Sequence, residues 1–318
     1  MKGLRLKNKK HFSIVYLSGI RGKPAICMGL SKIYNSFLLY LLFFCFVVLV
    51  FLDGISLTGR TKAVVNQTDK TYLPIIMYHQ VKDKGLGKDT ITPCELESDL
   101  KYLKENHYNT ITMEELLGFV YENKNLPENP IILTFDDGYF STYKYVFPLL
   151  KKYNMKIVLS IVGKSTDDFT EVKDENIEYS HITWGQLNEM LESGLVEVQN
   201  HTYNLHAVRN GRKGCNQKAG ESFEKYQSIL TDDLTKLQKE ILENTGEVPS
   251  TFTYPYGEYN DNTITIIKEL GFKAGLSCRY GINVASKEMN LYKLRRICRS
   301  HGEPLQKLIK EVMELISS

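Results

Sequence analysis

The chain has little of what marks a metal-stapled or repeat protein. Its six cysteines, Cys27, Cys45, Cys94, Cys215, Cys278 and Cys298, include no C-x-x-C pair, which removes the usual cysteine zinc motif. Cys278 and Cys298 fall on or near two late strand candidates and read either as a disulfide in an oxidising compartment or as buried thiols. No internal repeat or low-complexity tract appears, which excludes a repeat array.

Acid is missing from one end. Residues 1–36 hold none, yet eight of the 40 Lys and Arg lie there, so the remainder carries 32 bases against 37 acids, a net of −5. Charge, glycine and proline are all missing from residues 37–52, F-L-L-Y-L-L-F-F-C-F-V-V-L-V-F-L. As a helix this run would span roughly 24 Å at about 1.5 Å per residue, a little short of a bilayer core but extendable at its ends. An apolar run beside a basic, acid-free flank reads as one transmembrane anchor, with residues 1–36 in the cytoplasm and the rest outside the cell. No small-x-small site follows clearly, so the anchor is expected to stay uncleaved. A tether over 53–72 and a catalytic domain over 73–318 complete the expected organisation.

What is present starts with residues 131–139, I-I-L-T-F-D-D-G-Y. An apolar strand pattern ends there in two adjacent carboxylates, which at the edge of a core need a cation, a proton or solvent. Residues 73–81, L-P-I-I-M-Y-H-Q-V, repeat the theme and end near His79. A strand over 195–199 runs into N-H-T-Y-N-L-H, containing His201 and His206, and one over 250–254 runs into Pro255-Tyr256-Gly257.

Between these lie helical patterns over 96–105, 113–123, 142–153, 184–193, 222–244, 262–270 and 304–316, and further strands over 156–162, 272–277 and 291–298. Thr112 with Glu115 and Thr183 with Gln186 have capping-box spacing. Residues 163–181 and 207–221 read as loops. About seven strands alternating with helices predict an α/β fold with a parallel sheet. Functional groups at four strand ends favour a deformed, seven-stranded (β/α) barrel, which gathers those ends on one face.

One Asp of the pair, His201 and His206 are candidate ligands for a divalent metal, since two imidazoles and a carboxylate leave positions open for water and substrate. His201 and His206 are five apart, too far for one helix face, so an irregular turn must bring them together. A calcium loop at Asp136-Asp137-Gly138 would lack the spaced oxygen ligands such loops use.

T-F-D-D-G-Y (134–139), N-H-T-Y-N-L-H (200–206) and T-Y-P-Y-G (253–257), in this order, resemble the first three motifs of the polysaccharide deacetylases, the NodB-homology carbohydrate esterases. The resemblance implies a deformed (β/α) barrel whose divalent metal, usually zinc, serves removal of acetyl groups from N-acetylated sugars. It makes Asp136 the general base, Asp137, His201 and His206 the metal ligands, and Tyr256 the source of an oxyanion-binding backbone N–H. The M-Y-H segment is similar to the branch acting on poly-N-acetylglucosamine, which would make His79 the general acid, with His301 as its rival. Thr253 stands where the family carries an Arg that orients the base; Arg295 or Arg296 is the candidate replacement, Arg296 preferred.

The family's later groove Trp is also missing, since the sole tryptophan is Trp184. Tyr139, Tyr203 and Tyr256, with Pro255, are therefore candidate substrate contacts. The expected partners are an N-acetylated polysaccharide, exopolysaccharide or cell wall, and the membrane. Nucleic acid is not expected, and the catalytic domain is expected to be monomeric. A catalytically silent carbohydrate-binding protein on the same fold is the competing reading.

Overall fold

In the computed structural model, residues 71–317 are described. The basic segment 1–36, the apolar run 37–52 and residues 53–70 of the expected tether lie outside them. Among the described residues no helix is long and apolar enough to cross a membrane.

Strand β1 (Ile75–Tyr78) is buried along its whole length. So are β2 (Pro130–Phe135) and β3 (Ile157–Ile161), the signature of a sheet covered on both faces. With β4 (Val196–Asn200), β5 (Thr251–Thr253), β6 (Ala274–Tyr280) and β7 (Leu294–Cys298) they pair in chain order, all parallel, and β7 closes back on β1. The result is the expected seven-stranded barrel. Two departures deform it: β4 and β5 meet in register only at Asn200 and Phe252, and β6–β7 slips between Leu276 and Tyr280.

Alternation along β2 sets up the chemistry. Ile131, Leu133 and Phe135 pack outward among the covering helices, whereas Ile132 joins Ile75, Val158, Leu276 and Leu294 in a second apolar cluster. Thr134 and then Asp136 follow Ile132 on the same side, so that side turns from apolar to polar toward the strand's C-terminal end. Each fully buried aliphatic side chain stabilises the fold by roughly 1.5–3 kcal/mol.

Helices α1 (Pro93–Glu105), α2 (Met113–Glu122), α3 (Phe147–Tyr153), α4 (Gly163–Val172), α5 (Trp184–Glu192), α6 (Phe223–Thr245), α7 (Asp261–Glu269) and α8 (Leu305–Ser317) make the connections. Both expected capping boxes form, at Thr112 and Thr183. A third, Thr92 with Glu95, starts α1 three residues before the apolar period does.

Three expectations need correction. Residues 163–181 are not all loop: α4 forms although its apolar residues are too sparse for a helical stripe, because the Gly163 and Lys164 amides donate to the Thr202 and Tyr203 carbonyls and start it from outside. Within 207–221, Val208–Arg209 and Arg212–Lys213 form a hairpin around Asn210-Gly211, both left-handed as a two-residue turn demands. Thr71–Leu73, at the end of the expected tether, pairs antiparallel with Asn283–Ala285.

Candidate active site

Strand ends gather the expected residues into a cavity of about 570 Å³. His79 follows β1, Asp136 and Asp137 follow β2, and His201 follows β4, and all four line it with His206 and Tyr256. The backbone is forced where the polar groups converge. Asp137, Thr202 and Tyr256 all have positive φ (71°, 78° and 58°), a region costly for residues with a Cβ and typical of functional turns. Gly138, at φ 72°, completes the turn after Asp137, and a Cβ there would come within 3.1 Å of Ile161 Cγ2. That turn lets two neighbouring acids face different partners.

Asp136 faces Arg296. The guanidinium of this fully buried β7 residue donates from its two terminal nitrogens to the two carboxylate oxygens, at 2.8 Å each, and is itself held by the Thr134 hydroxyl and the Ser277 carbonyl. Burial pushes the Asp136 carboxyl up, but the charges of Arg296 and His201 outweigh it and hold the pKa below the ordinary range. Arg295 instead points out, to the Tyr280 carbonyl. Thr253 bonds Ser160, and its carbonyl accepts from His201. The arginine on the Asp136 carboxylate thus comes from β7, and Thr253 of the third motif makes no contact of that kind. His79 Nε2 lies 3.9 Å from Asp136 Oδ2, and its Nδ1 is buried without a partner.

Asp137 faces the two histidines. Its Oδ1 lies 3.4 Å from His201 Nε2 and 3.3 Å from His206 Nε2, and the three candidate ligand atoms all fall within 4.8 Å of one another. The same Oδ1 is buried and has no hydrogen-bond partner, a costly arrangement unless a cation completes it. His201 Nδ1 donates to the Thr253 carbonyl at 2.7 Å, which turns Nε2 toward Asp137, and such a bond from the far nitrogen is the usual second contact of a metal-ligating imidazole. Burial and the charge of His201 push His206 down to about 4, which keeps its ring neutral. Burial also opposes ionisation of Asp137, but the nearby His201 and His206 imidazoles more than reverse it and hold its carboxyl well below the ordinary range. Donor types, tautomer and the orphaned oxygen all fit a divalent cation.

Two tyrosines flank the cavity. Tyr256 is 41 % exposed and packs tilted against His206, ring centroids 4.6 Å apart; Tyr139 stacks on His181 at 4.8 Å, and burial with Asp137 nearby pushes the Tyr139 hydroxyl up to about 12. Tyr203 and Pro255 do not line the cavity. Tyr203 turns away to donate to Asp167 beneath the Lys236 ammonium, and Pro255 is buried where a Cβ on Gly214 would touch it. His301 pairs with Glu95 at 2.9 Å, also outside the cavity. His181, Asp89, Cys278 and Cys298 carried no motif signal, yet the last three line the cavity and His181 supports it through Tyr139. Both cysteines are free thiols, with Cys278 Sγ against Met77 Sδ at 3.7 Å.

The polysaccharide deacetylase family profile matches residues 123–275. A Bacillus subtilis (strain 168) protein named as a polysaccharide deacetylase is 30% identical over 244 residues, 76% of each chain. This chain belongs to the polysaccharide deacetylase family. The poly-beta-1,6-N-acetyl-D-glucosamine N-deacetylase of Staphylococcus aureus (strain N315) is 28% identical over 239 residues, covering 75% of this chain and 77% of that one. Among solved structures, a de-N-acetylase from Aggregatibacter actinomycetemcomitans superposes with a TM-score of 0.65 at 26% identity, over 76% of this chain and 99% of that one. The profile spans Asp136, Asp137, His201, His206 and Tyr256 and leaves His79 and Arg296 on either side. Those two come from β1 and β7, the strands that close the deacetylase barrel.

Proposed function

We propose that this deacetylase is a divalent-metal-dependent hydrolase that removes N-acetyl groups from an N-acetylglucosamine polymer outside the cell. The observation that carries the reading is the buried, unpartnered Asp137 Oδ1 between two imidazole nitrogens, beside a second acid already neutralised by arginine. Asp137, His201 and His206 would hold the cation, and zinc suits one oxygen and two nitrogen donors. When bound there, such a cation supplies Lewis acidity toward a carbonyl and makes water more acidic.

The chain's own groups do the rest. Asp136, oriented by the Arg296 fork, accepts the proton of the attacking water. The Tyr256 backbone N–H, carried by its left-handed turn, donates to the oxygen that gains charge in the tetrahedral state. His79, 3.9 Å from Asp136, gives its proton to the leaving nitrogen, so that water and amide become acetate and a free amine. The rings of Tyr139 and Tyr256 offer apolar faces to a pyranose.

The polymer is proposed from the activity for which the Staphylococcus aureus relative is named, with chitooligosaccharide and peptidoglycan as the nearest alternatives. The extracytoplasmic, membrane-anchored arrangement is proposed from the acid-free segment 1–36 and the apolar run 37–52. Acetate release from poly-N-acetylglucosamine, chitooligosaccharide and peptidoglycan, with and without chelator, tests the reading. Zinc-restorable release from the first is expected; polymer binding without acetate release from any of them would mark a silent carbohydrate-binding protein instead.

A further inference from the structure

The loop between His201 and His206 has no regular structure of its own to hold it. Two of its consecutive amides find one distant acceptor: Tyr203 N–H donates to Asp233 Oδ1 and Asn204 N–H to Asp233 Oδ2, at 2.8 Å each. Asp233 sits in the interior of α6, 30 and 29 residues further along the chain. Asp in mid-helix costs roughly half a kcal/mol or more relative to Ala, and burial makes ionisation of this one harder still, pushing it up to about 6. Nothing about packing α6 requires a carboxylate there, since Leu230, Leu234, Leu237 and Ile241 supply its apolar stripe.

The neighbouring bonds form a consistent cradle. His201 N–H donates to the Ile161 carbonyl, and the Gly163 and Lys164 amides donate to the Thr202 and Tyr203 carbonyls. Thr202 N–H is taken by the Asn200 side chain, which itself donates to the Leu234 carbonyl and to Gln238. Residues before the second histidine therefore hang from α6, and Asp233 alone supplies two of those attachments through a pair of adjacent N–H groups, a geometry that suits an anion. We infer that Asp233 is a positioning residue that presets the spacing of His201 and His206, so that the metal meets a formed site. It touches neither histidine and acts through the backbone between them. The inference rests on the metal reading above.

The test uses the full chain and its Asp233→Asn and Asp233→Ala variants, stripped of metal. Zinc affinity by chelator competition is the main readout, with amide exchange at Tyr203 and Asn204 and thermal unfolding of the metal-free protein alongside. Removing an outer contact of this kind typically weakens metal binding by about 10–100-fold. Asp233→Asn, which keeps an acceptor for one amide, should fall near the lower end and Asp233→Ala near the upper. Both amides should exchange faster, the metal-free Asp233→Asn protein should still unfold near the wild-type temperature, and saturating zinc should restore most of kcat with KM unchanged. Wild-type affinity in both variants would overturn the inference alone, as would zinc loss in Asp233→Asn matched by an equal loss of folded protein. A wild-type chain that binds no zinc would remove the metal reading and this inference with it.

Discussion

Arg296 grips Asp136 with both arms of its guanidinium across 160 residues of sequence. The pair is buried on both sides, at 0% and 2% side-chain exposure. An arginine so placed both orients the carboxylate and stabilises its charged form, which sets the basicity available to the proposed reaction.

Arg296→Lys keeps the charge and loses the fork. Turnover should fall about 10²-fold with metal content unchanged. Arg296→Met should also destabilise the fold by about 3–5 kcal/mol, because it strands a buried carboxylate. Acetate-release kinetics and urea unfolding read the two effects separately.

Asp136 and His201 should part company on metal. Asp136→Asn should retain bound zinc and lose roughly 10²–10⁴-fold in kcat, the usual worth of a general base. His201→Ala should lose zinc and turnover together. Equal metal loss in the two, by elemental analysis, would refute the division of roles.

His79→Gln should lower kcat by at least about 10²-fold while leaving zinc in place. His301→Ala should leave kcat unchanged, since its imidazole is engaged with Glu95 away from the cavity. The opposite pattern would make His301 the acid.

A pH effect on stability should arise at Glu240. Burial and the nearby Asp167 and Glu243 charges push its carboxyl up to about 7 against the pull of Lys236, and its Oε2 is buried without a partner. The folded chain then holds a proton that the unfolded chain, near 4.3 for a free Glu, releases earlier. Stability from this group is therefore present at low pH and is lost as pH rises from about 4.3 to 7. Glu240→Gln should flatten that slope and raise the unfolding temperature at pH 8, measured by calorimetry.

Much of the site was legible because strand chemistry is local. An apolar run that stops at His79, at Asp136-Asp137 or at His201 announces both the strand and the group it delivers. Arg296 was legible only in outline: L-R-R-I-C shows two arginines on opposite faces of one strand, and the barrel's curvature decides which points in. Tyr203 read as a platform because its motif is shared, but Asp167 and Lys236, remote in sequence, pull its ring away. Helix α4 was hidden for the same reason, being started by carbonyls of a loop some forty residues on. Two local signals went beyond the expected elements: Asn210-Gly211, a strong two-residue turn former, and the capping-box spacing of Thr92 and Glu95.

The seam between β4 and β5, where the barrel pairs in register at a single point, is bridged just beyond that point by the His201 imidazole donating to the Thr253 carbonyl. One ring therefore clasps the loosest joint of the wall with one nitrogen and turns the other to the proposed cation site. Loading the site should make the wall stiffer as well as the chemistry ready, and any breathing of the empty barrel should begin along this joint.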